Sequence, residues 1–261
     1  MGRVFVPRTV HIGDQQVTRI GVGTNRLTDT PANRDFLAQS VEAGVDFIDT
    51  ARLYSGGGSE RTIGAGLAPF PDGLVVATKG GYDRGGGRPE RLRAEVEQSF
   101  EALRTDTIAL YYLHRIHPDT PIEDSLGVLG EYRDAGRIRN VGLSNVSVDQ
   151  IERARTVVPI AAVQNHYSLS ERRHEDEVDY CERENIAFVP YFPLHVDDLQ
   201  LDEIASRYDA TREQIALAWL LKRSAQITPI PGTLSIDHLK ANLAALDIEL
   251  SDEDFARLGG A

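Results

Sequence analysis

Four residues of this 261-residue chain, Asp49, Tyr54, Lys79 and His114, are of the right types to move a proton and steady a charged oxygen together. A tyrosine phenol has an ordinary pKa of about 10, so trading a proton near neutrality means favouring phenolate by about 3–4 kcal/mol. A lysine about 4 Å away supplies roughly 4 kcal/mol at an effective dielectric near 20, while burial of the phenol opposes it. Asp49 can hold the Lys79 ammonium in place and keep it protonated. His114 can donate a hydrogen bond to a carbonyl oxygen beside the tyrosine hydroxyl, which stabilises the alkoxide formed when hydride reaches a carbonyl carbon. Taken singly, each also has a plain structural role open to it: turn cap, loop anchor, rim charge or core histidine.

Two other chemistries compete for the same residues. A metal centre needs convergent histidines and carboxylates, but only one clear histidine stands at a predicted strand end, and Lys79 would repel a cation. His117 and Asp119 follow without a ligand spacing, so no metal is expected. Gly21-Val22-Gly23-Thr24-Asn25-Arg26 approaches a dinucleotide fingerprint, but Arg26 stands where close helix packing needs a third glycine. Cys181 is the only cysteine, which excludes an intrachain disulfide and a cysteine-rich metal site; the pattern before it reads as a helix and predicts a buried thiol.

What must position the four residues is an alternation of short apolar runs with amphipathic stretches, from end to end and without a linker-like break. Strands are predicted at Ile20–Gly23, Phe47–Asp49, Leu74–Thr78, Ile108–Leu113, Val141–Leu143, Ala162–Gln164, Ala187–Tyr191 and Thr228–Ile230. Ser147 with Gln150, and Thr211 with Gln214, have capping-box spacing at helix starts. Leu92, Val96, Phe100 and Leu103 keep one helical face apolar, and Ser251 can cap a last short helix. Val10 to Val17, centred on Gly13-Asp14, reads as a hairpin. Ser55–Ser59 and Gly85–Gly87 read as loops. The expected fold is therefore α/β: a (β/α)8 TIM barrel spanning residues 1–261 as one domain, its bottom closed by the N-terminal β-hairpin.

On this reading Asp49, Lys79, His114, Ser144 with Asn145, Gln164 with Asn165, and Tyr191 all fall at C-terminal strand ends. Those ends form the rim where barrel active sites lie.

The composition, 41% hydrophobic and 26% charged, is globular. A net charge of −12 and a pI near 5.0 disfavour nucleic acid and anionic membrane surfaces as partners. Met1–Val10 lacks an apolar core of signal-peptide length, and no run approaches a membrane span, so a soluble cytoplasmic protein is expected. The lack of a long exposed apolar segment favours a monomer.

These motifs, from about Val17 to Leu246, resemble those of the aldo-keto reductases. Asp49-Thr-Ala-Arg-Leu-Tyr54 with Ser59-Glu60 is similar to that family's Asp/Tyr motif, Ala77-Thr-Lys79-Gly-Gly81 to its lysine strand, and Leu110-Tyr-Tyr-Leu-His114-Arg115 to its histidine strand. Gly142-Leu-Ser-Asn145, Gln164-Asn-His-Tyr-Ser168 and Tyr191-Phe-Pro-Leu194 follow in the family's order. The resemblance implies a small-molecule carbonyl or alcohol substrate, with Tyr54 as general acid/base tuned by Lys79 and Asp49, and His114 orienting the carbonyl. It implies that Ser144, Asn145 and Gln164 bond a nicotinamide carboxamide with Tyr191 stacked on the ring. It also implies that Pro231, Gly232, Thr233, Ser235, His238 and Asn242 surround the adenosine 2′-phosphate and adenine. Leu53, Tyr82, Arg115, His117, Phe192 and His195 are expected pocket walls; an anionic substrate or rim salt bridging would each suit Arg115 and His117.

Three departures bear on these expectations. Gly232 and His238 occupy a segment where many members carry lysine and arginine, so NADP(H) is the expected cofactor while NAD(H) stays open. Arg52 stands where an acidic residue is frequent. The segment after Leu194 is short, which predicts an open pocket. Within the same resemblance, a nicotinamide-binding regulatory subunit with little turnover is the alternative to an enzyme that reduces an aldehyde, ketone or ketosugar.

Overall fold

The computed structural model describes residues 7–196 and 201–259. The reading of the chain's start lies, as far as Val6, outside the described residues, as does part of the short connection after Leu194. The chain begins with an antiparallel hairpin, β1 (Thr9–Ile12) and β2 (Gln15–Thr18), turning at Gly13-Asp14 as the sequence predicts. Apolar runs such as Val75-Val76-Ala77 need cover on both faces, and helices wrapped around a parallel sheet supply it. The strands β3 (Val22–Gly23), β4 (Phe47–Asp49), β5 (Val75–Gly80), β6 (Ile108–Leu113), β7 (Ile138–Ser144), β8 (Ile160–Gln164) and β9 (Ala187–Phe188) pair in sequence order, each parallel to its neighbour.

Outside them lie α1 (Pro31–Glu42), α2 (Gly58–Leu67), α3 (Pro89–Leu103), α4 (Ile122–Asp134), α5 (Val148–Arg155) and α6 (Glu175–Glu184), one after each of the first six strands of this sheet. After β9 come α7 (Leu201–Arg207) and α8 (Arg212–Arg223), then α9 (Ile236–Ala244) and α10 (Asp252–Arg257). Both predicted capping boxes form at α5 and α8, and Ser251 caps α10. Leu92, Val96, Phe100 and Leu103 are buried on α3. Cys181 is buried in α6, and burial pushes its thiol well up. One loop boundary differs from the sequence reading: Gly58 and Ser59 already open α2.

The barrel closes without an eighth strand at Thr228–Ile230. Pro229 and Pro231 have no N–H to give, so a continuous ladder cannot form. Isolated bridges remain, Ile227 with Phe188 and Gly232 with Gly23. Thr228 N donates to Phe188 O at 2.8 Å, Gly21 N to Pro229 O at 3.0 Å and Gly23 N to Pro231 O at 3.3 Å. Beyond the regular part of β9, pairing with the β8 side still reaches the predicted Tyr191, whose N donates to Asn165 O at 3.2 Å and which bridges His166. A Cβ on Gly23 would lie 2.7 Å from Ile230 O, and one on Gly21 would lie 2.6 Å from the Phe47 ring. The two glycines that imitate a dinucleotide fingerprint are thus explained by close backbone approach at this seam.

Arg19 completes the closure. It is fully buried and donates to Leu221 O at 2.8 Å, Ile227 O at 3.0 Å, Pro7 O at 3.1 Å and also Ser224 O. Burial lowers its guanidinium to about 10, so it stays charged at neutral pH while satisfying carbonyls that no strand partner reaches.

The core has two main parts. One lies between sheet and helices; the other fills the barrel, where Phe47, Ala77, Leu110, Tyr112, Ala162 and Ala187 are sealed from below by Val10, Ile12 and Val17 of the hairpin. Among the described residues no helix is long and apolar enough to cross a membrane.

Candidate active site

Side chains alternate faces along a strand, so residues two apart share the barrel interior. Following that parity upward from the apolar layer, Phe47 leads to Asp49, Ala77 to Lys79, Leu110 and Tyr112 to His114, Gly142 to Ser144, and Ala162 to Gln164. The polar set at the rim is therefore the top layer of the stack whose lower layers are core. Register staggers its members, with Asp49 paired to Ala77 and Lys79 to Tyr112, and sets Ser144 opposite Gln164.

Lys79 and Asp49 are fully buried beneath the cavity floor. Lys79 Nζ donates to Asp49 Oδ1 at 2.5 Å and to Thr50 O at 2.8 Å, and Gln164 Nε2 donates to the other carboxylate oxygen, Oδ2, at 2.8 Å. Tyr54 starts a tight 3₁₀ turn, Tyr54–Gly57, in which Ser55 has φ +52° and its hydroxyl donates to Leu27 O. Hydroxyls of Thr24, Thr50 and Ser59 interlock behind that turn. The turn brings the Tyr54 hydroxyl to 3.4 Å from Lys79 Nζ, longer than an ordinary hydrogen bond. The rings of Tyr54 and His114 meet edge to face at 6.2 Å. Glu60, buried in α2, accepts from the Thr78 hydroxyl at 2.6 Å and so braces the lysine strand from outside.

Electrostatics departs from the sequence expectation in one respect. Burial raises the Tyr54 phenol above its ordinary value; Lys79 pulls it down and Asp49 pushes it back up. Burial therefore outweighs the lysine, and Tyr54 is a protonated phenol at neutral pH rather than one drawn toward phenolate. Burial also penalises the Lys79 ammonium, but Asp49 and Tyr54 outweigh that and hold it above its usual range. The Asp49 carboxyl is raised by burial against the pull of Lys79 and Gln164.

His114 is pushed down to about 2 by burial first, then by Lys79 and Arg115, so a neutral imidazole faces the cavity. Its Nδ1 is buried without a protein partner among the described residues. An unfolded histidine titrates at 6.5, so between these values the unfolded chain holds the extra proton. The contribution is thus fully present above about pH 6.5 and is lost as pH falls, by up to about 1.4 kcal/mol per unit. Urea unfolding midpoints are expected to drop from about pH 6.5 to about pH 5, and His114→Gln to flatten part of that slope. An unchanged slope in the variant would remove His114 from this account.

Above the floor lies a cavity of about 780 Å³. It brings together Asp49, Leu53, Tyr54, Tyr82, His114, Arg115, Ser144, Asn145, Gln164, Tyr191, Phe192, His195, Pro231 and Gly232. His117 is not on this wall: it is buried, with Nε2 2.9 Å from Gly81 O, because the loop after β6 folds back over Gly81. Thr233, Ser235, His238 and Asn242 are also absent from the cavity lining. Ser235 caps α9 through the His238 amide, the Thr233 hydroxyl accepts from Ser235 N, and Asn242 is buried in the helix. Asn145 is engaged by protein: it accepts from the Tyr191 hydroxyl at 2.7 Å and donates to Ser144 Oγ and His114 O. Gln164 spends its amide nitrogen on Asp49.

Several lining residues were not singled out by the sequence. His166 stacks on Tyr191 with ring centroids 5.2 Å apart and planes within 12°. Asn25 and Arg26 line the wall beside Gly232, at the seam. The usable signal for Asn25 and Arg26 was their place just past the first strand end, the same rule that located Asp49. Arg52, at the departure from the acidic residue, donates to Gln98 Oε1 at 2.9 Å and borders a smaller adjoining cavity. No group of three or more potential metal-binding side chains exists among the described residues.

Comparison with known proteins places this geometry in context. The family model described as "Aldo/keto reductase family" matches residues 19–199 and 195–261. An uncharacterized oxidoreductase of Schizosaccharomyces pombe is 40% identical, over 96% of this chain and 88% of the relative. The pyridoxine 4-dehydrogenase of Escherichia coli is 33% identical over 97% of both chains. Among solved structures, an aldo/keto reductase from Klebsiella pneumoniae in complex with NADP and acetate superposes with a TM-score of 0.86 at 28% identity, covering 97% of this chain and 94% of that one.

Proposed function

The chain belongs to the aldo/keto reductase family, and from that premise we propose that it is an NADP(H)-dependent oxidoreductase that reduces an aldehyde, ketone or ketosugar carbonyl to an alcohol. One observation carries the reading: a protonated Tyr54 and a neutral His114 face one cavity directly above a buried Lys79–Asp49 pair. A nicotinamide cofactor, when bound, supplies the hydride. Its fit is supported by the polar wall of Ser144, Asn145, Gln164 and Tyr191, and by the buried His166 Nε2 beside it, which has no partner among the described residues. Pro231 and Gly232 would border the nucleotide farther along.

His114 donates one N–H to the carbonyl oxygen and polarises it. As negative charge gathers on that oxygen, Tyr54 passes it the phenol proton. The phenolate left behind is stabilised by the Lys79 ammonium, which Asp49 and Gln164 keep in place. The raised phenol suits this reductive direction at neutral pH. Alcohol oxidation needs the phenolate first, so it gains at alkaline pH.

The test is a titration of the purified protein with NADPH and NADH, followed by cofactor absorbance with a panel of aldehydes, ketones and ketosugars. Tighter binding of NADPH with carbonyl-dependent loss of absorbance is expected. Absence of nicotinamide binding would defeat the reading, and binding without turnover would favour the regulatory alternative.

A further inference from the structure

We propose that Arg115 forms an anion subsite at the mouth of the cavity, and that the carbonyl compound taken there carries a carboxylate or phosphate group. The inference rests on the oxidoreductase reading and adds the substrate's charge to it.

The chain holds 40 acidic against 28 basic residues, and its outer arginines are widely matched to carboxylates, as at Arg34, Arg93, Arg137, Arg153 and Arg223. Arg115 is different. Like Arg26 on the far wall, it is exposed, lines the cavity and makes no ion pair among the described residues; what sets it apart is how it is held. Its guanidinium instead lies 4.4 Å from the Tyr82 ring centroid, with Nη2 donating to the Tyr82 hydroxyl at 3.3 Å. Tyr82 in turn packs 4.8 Å from the His114 ring. The guanidinium is thus one aromatic ring away from the group that meets the carbonyl.

That stack does two things. It holds the planar fork in advance, so little side-chain freedom is lost on binding, and it leaves further N–H donors without an acceptor among the described residues. A carboxylate or phosphate matches such a fork with paired, charge-assisted hydrogen bonds. Among the described lining residues the one carboxylate, Asp49, is engaged by Lys79 rather than by Arg115. Nucleotide phosphates are a poor alternative occupant. Arg115 follows β6, and the closing segment at Pro231-Gly232 lies on the opposite side of the barrel.

The experiment compares wild type with Arg115→Gln and Arg115→Lys, using NADPH and matched carbonyl pairs. One pair is para-carboxybenzaldehyde with its methyl ester; the other is glycolaldehyde phosphate with glycolaldehyde. Wild type should favour the charged member of at least one pair, and the responding pair tells carboxylate from phosphate. Arg115→Gln should raise KM for that member about tenfold and leave its neutral counterpart within about twofold, with Arg115→Lys intermediate. The KM effect in wild type should also weaken as salt is added. Equal discrimination in wild type and Arg115→Gln, or a wild-type preference for both neutral members, overturns this inference alone. Failure of wild type to turn over any carbonyl overturns the oxidoreductase reading together with it.

Discussion

Replacing Tyr54 with phenylalanine is expected to lower kcat by roughly a hundredfold to ten-thousandfold while leaving nicotinamide binding intact. The substitution removes only a hydroxyl, and the ring keeps its edge contact with His114. What disappears is the proposed proton donor at the cavity floor. The hydroxyls of Tyr111 and Tyr112 cannot take its place: both are fully buried, and burial raises both phenols well above their ordinary value. Stopped-flow single turnover with NADPH separates chemistry from release, and fluorescence titration reports binding. Undiminished turnover would refute Tyr54 as the acid.

The second large effect is expected at the buried ion pair. Lys79→Met keeps much of the side-chain volume but leaves the Asp49 carboxylate, fully buried, with Gln164 as its only hydrogen-bond partner among the described residues. Breaking a buried pair from one side costs about 3–5 kcal/mol, a large part of a domain's stability. The same change strips the phenolate of its stabilising charge, so activity falls too. The two losses come apart in the double variant Lys79→Met with Asp49→Asn. Removing both charges should recover much of the unfolding free energy in urea and none of the turnover. Recovery of turnover would show that the lysine acts only through the fold.

Much of this arrangement could be read from the chain, because period-two alternation and strand ends obey steric rules that composition reflects directly. Asp49, Lys79, His114, Ser144 and Gln164 each sit two residues above a small or apolar residue of the barrel interior, and that spacing is visible in one dimension. The eighth strand misled because Thr228–Ile230 has strand-like residue types, whereas Pro229 and Pro231 decide its hydrogen bonding. The sign of the shift at Tyr54 was hidden for a different reason. Lysine attraction follows from adjacency, but the opposing desolvation depends on how many elements cover the ring, which spacing does not encode. His117 was misplaced because a loop's direction after β6 is set by its hydrogen bond to Gly81, and Arg26 was passed over because its neighbours invited comparison with the wrong nucleotide fold.

The proline-interrupted closure has a consequence for how the molecule breathes. From β5 to β8 the wall is a run of paired amides that open only with a large part of the fold; between residues 21–23 and 227–232 two main-chain bonds join the edges, with Arg19 reaching behind them. Local opening takes a path of few buried bonds, so this line is a weak longitudinal joint of the cylinder. Gly23 and Asn25 on one edge and Pro231 and Gly232 on the other all face the cavity. A molecule seated across both edges acts as a clasp, and its binding energy opposes opening at this line before it raises the stability of the whole.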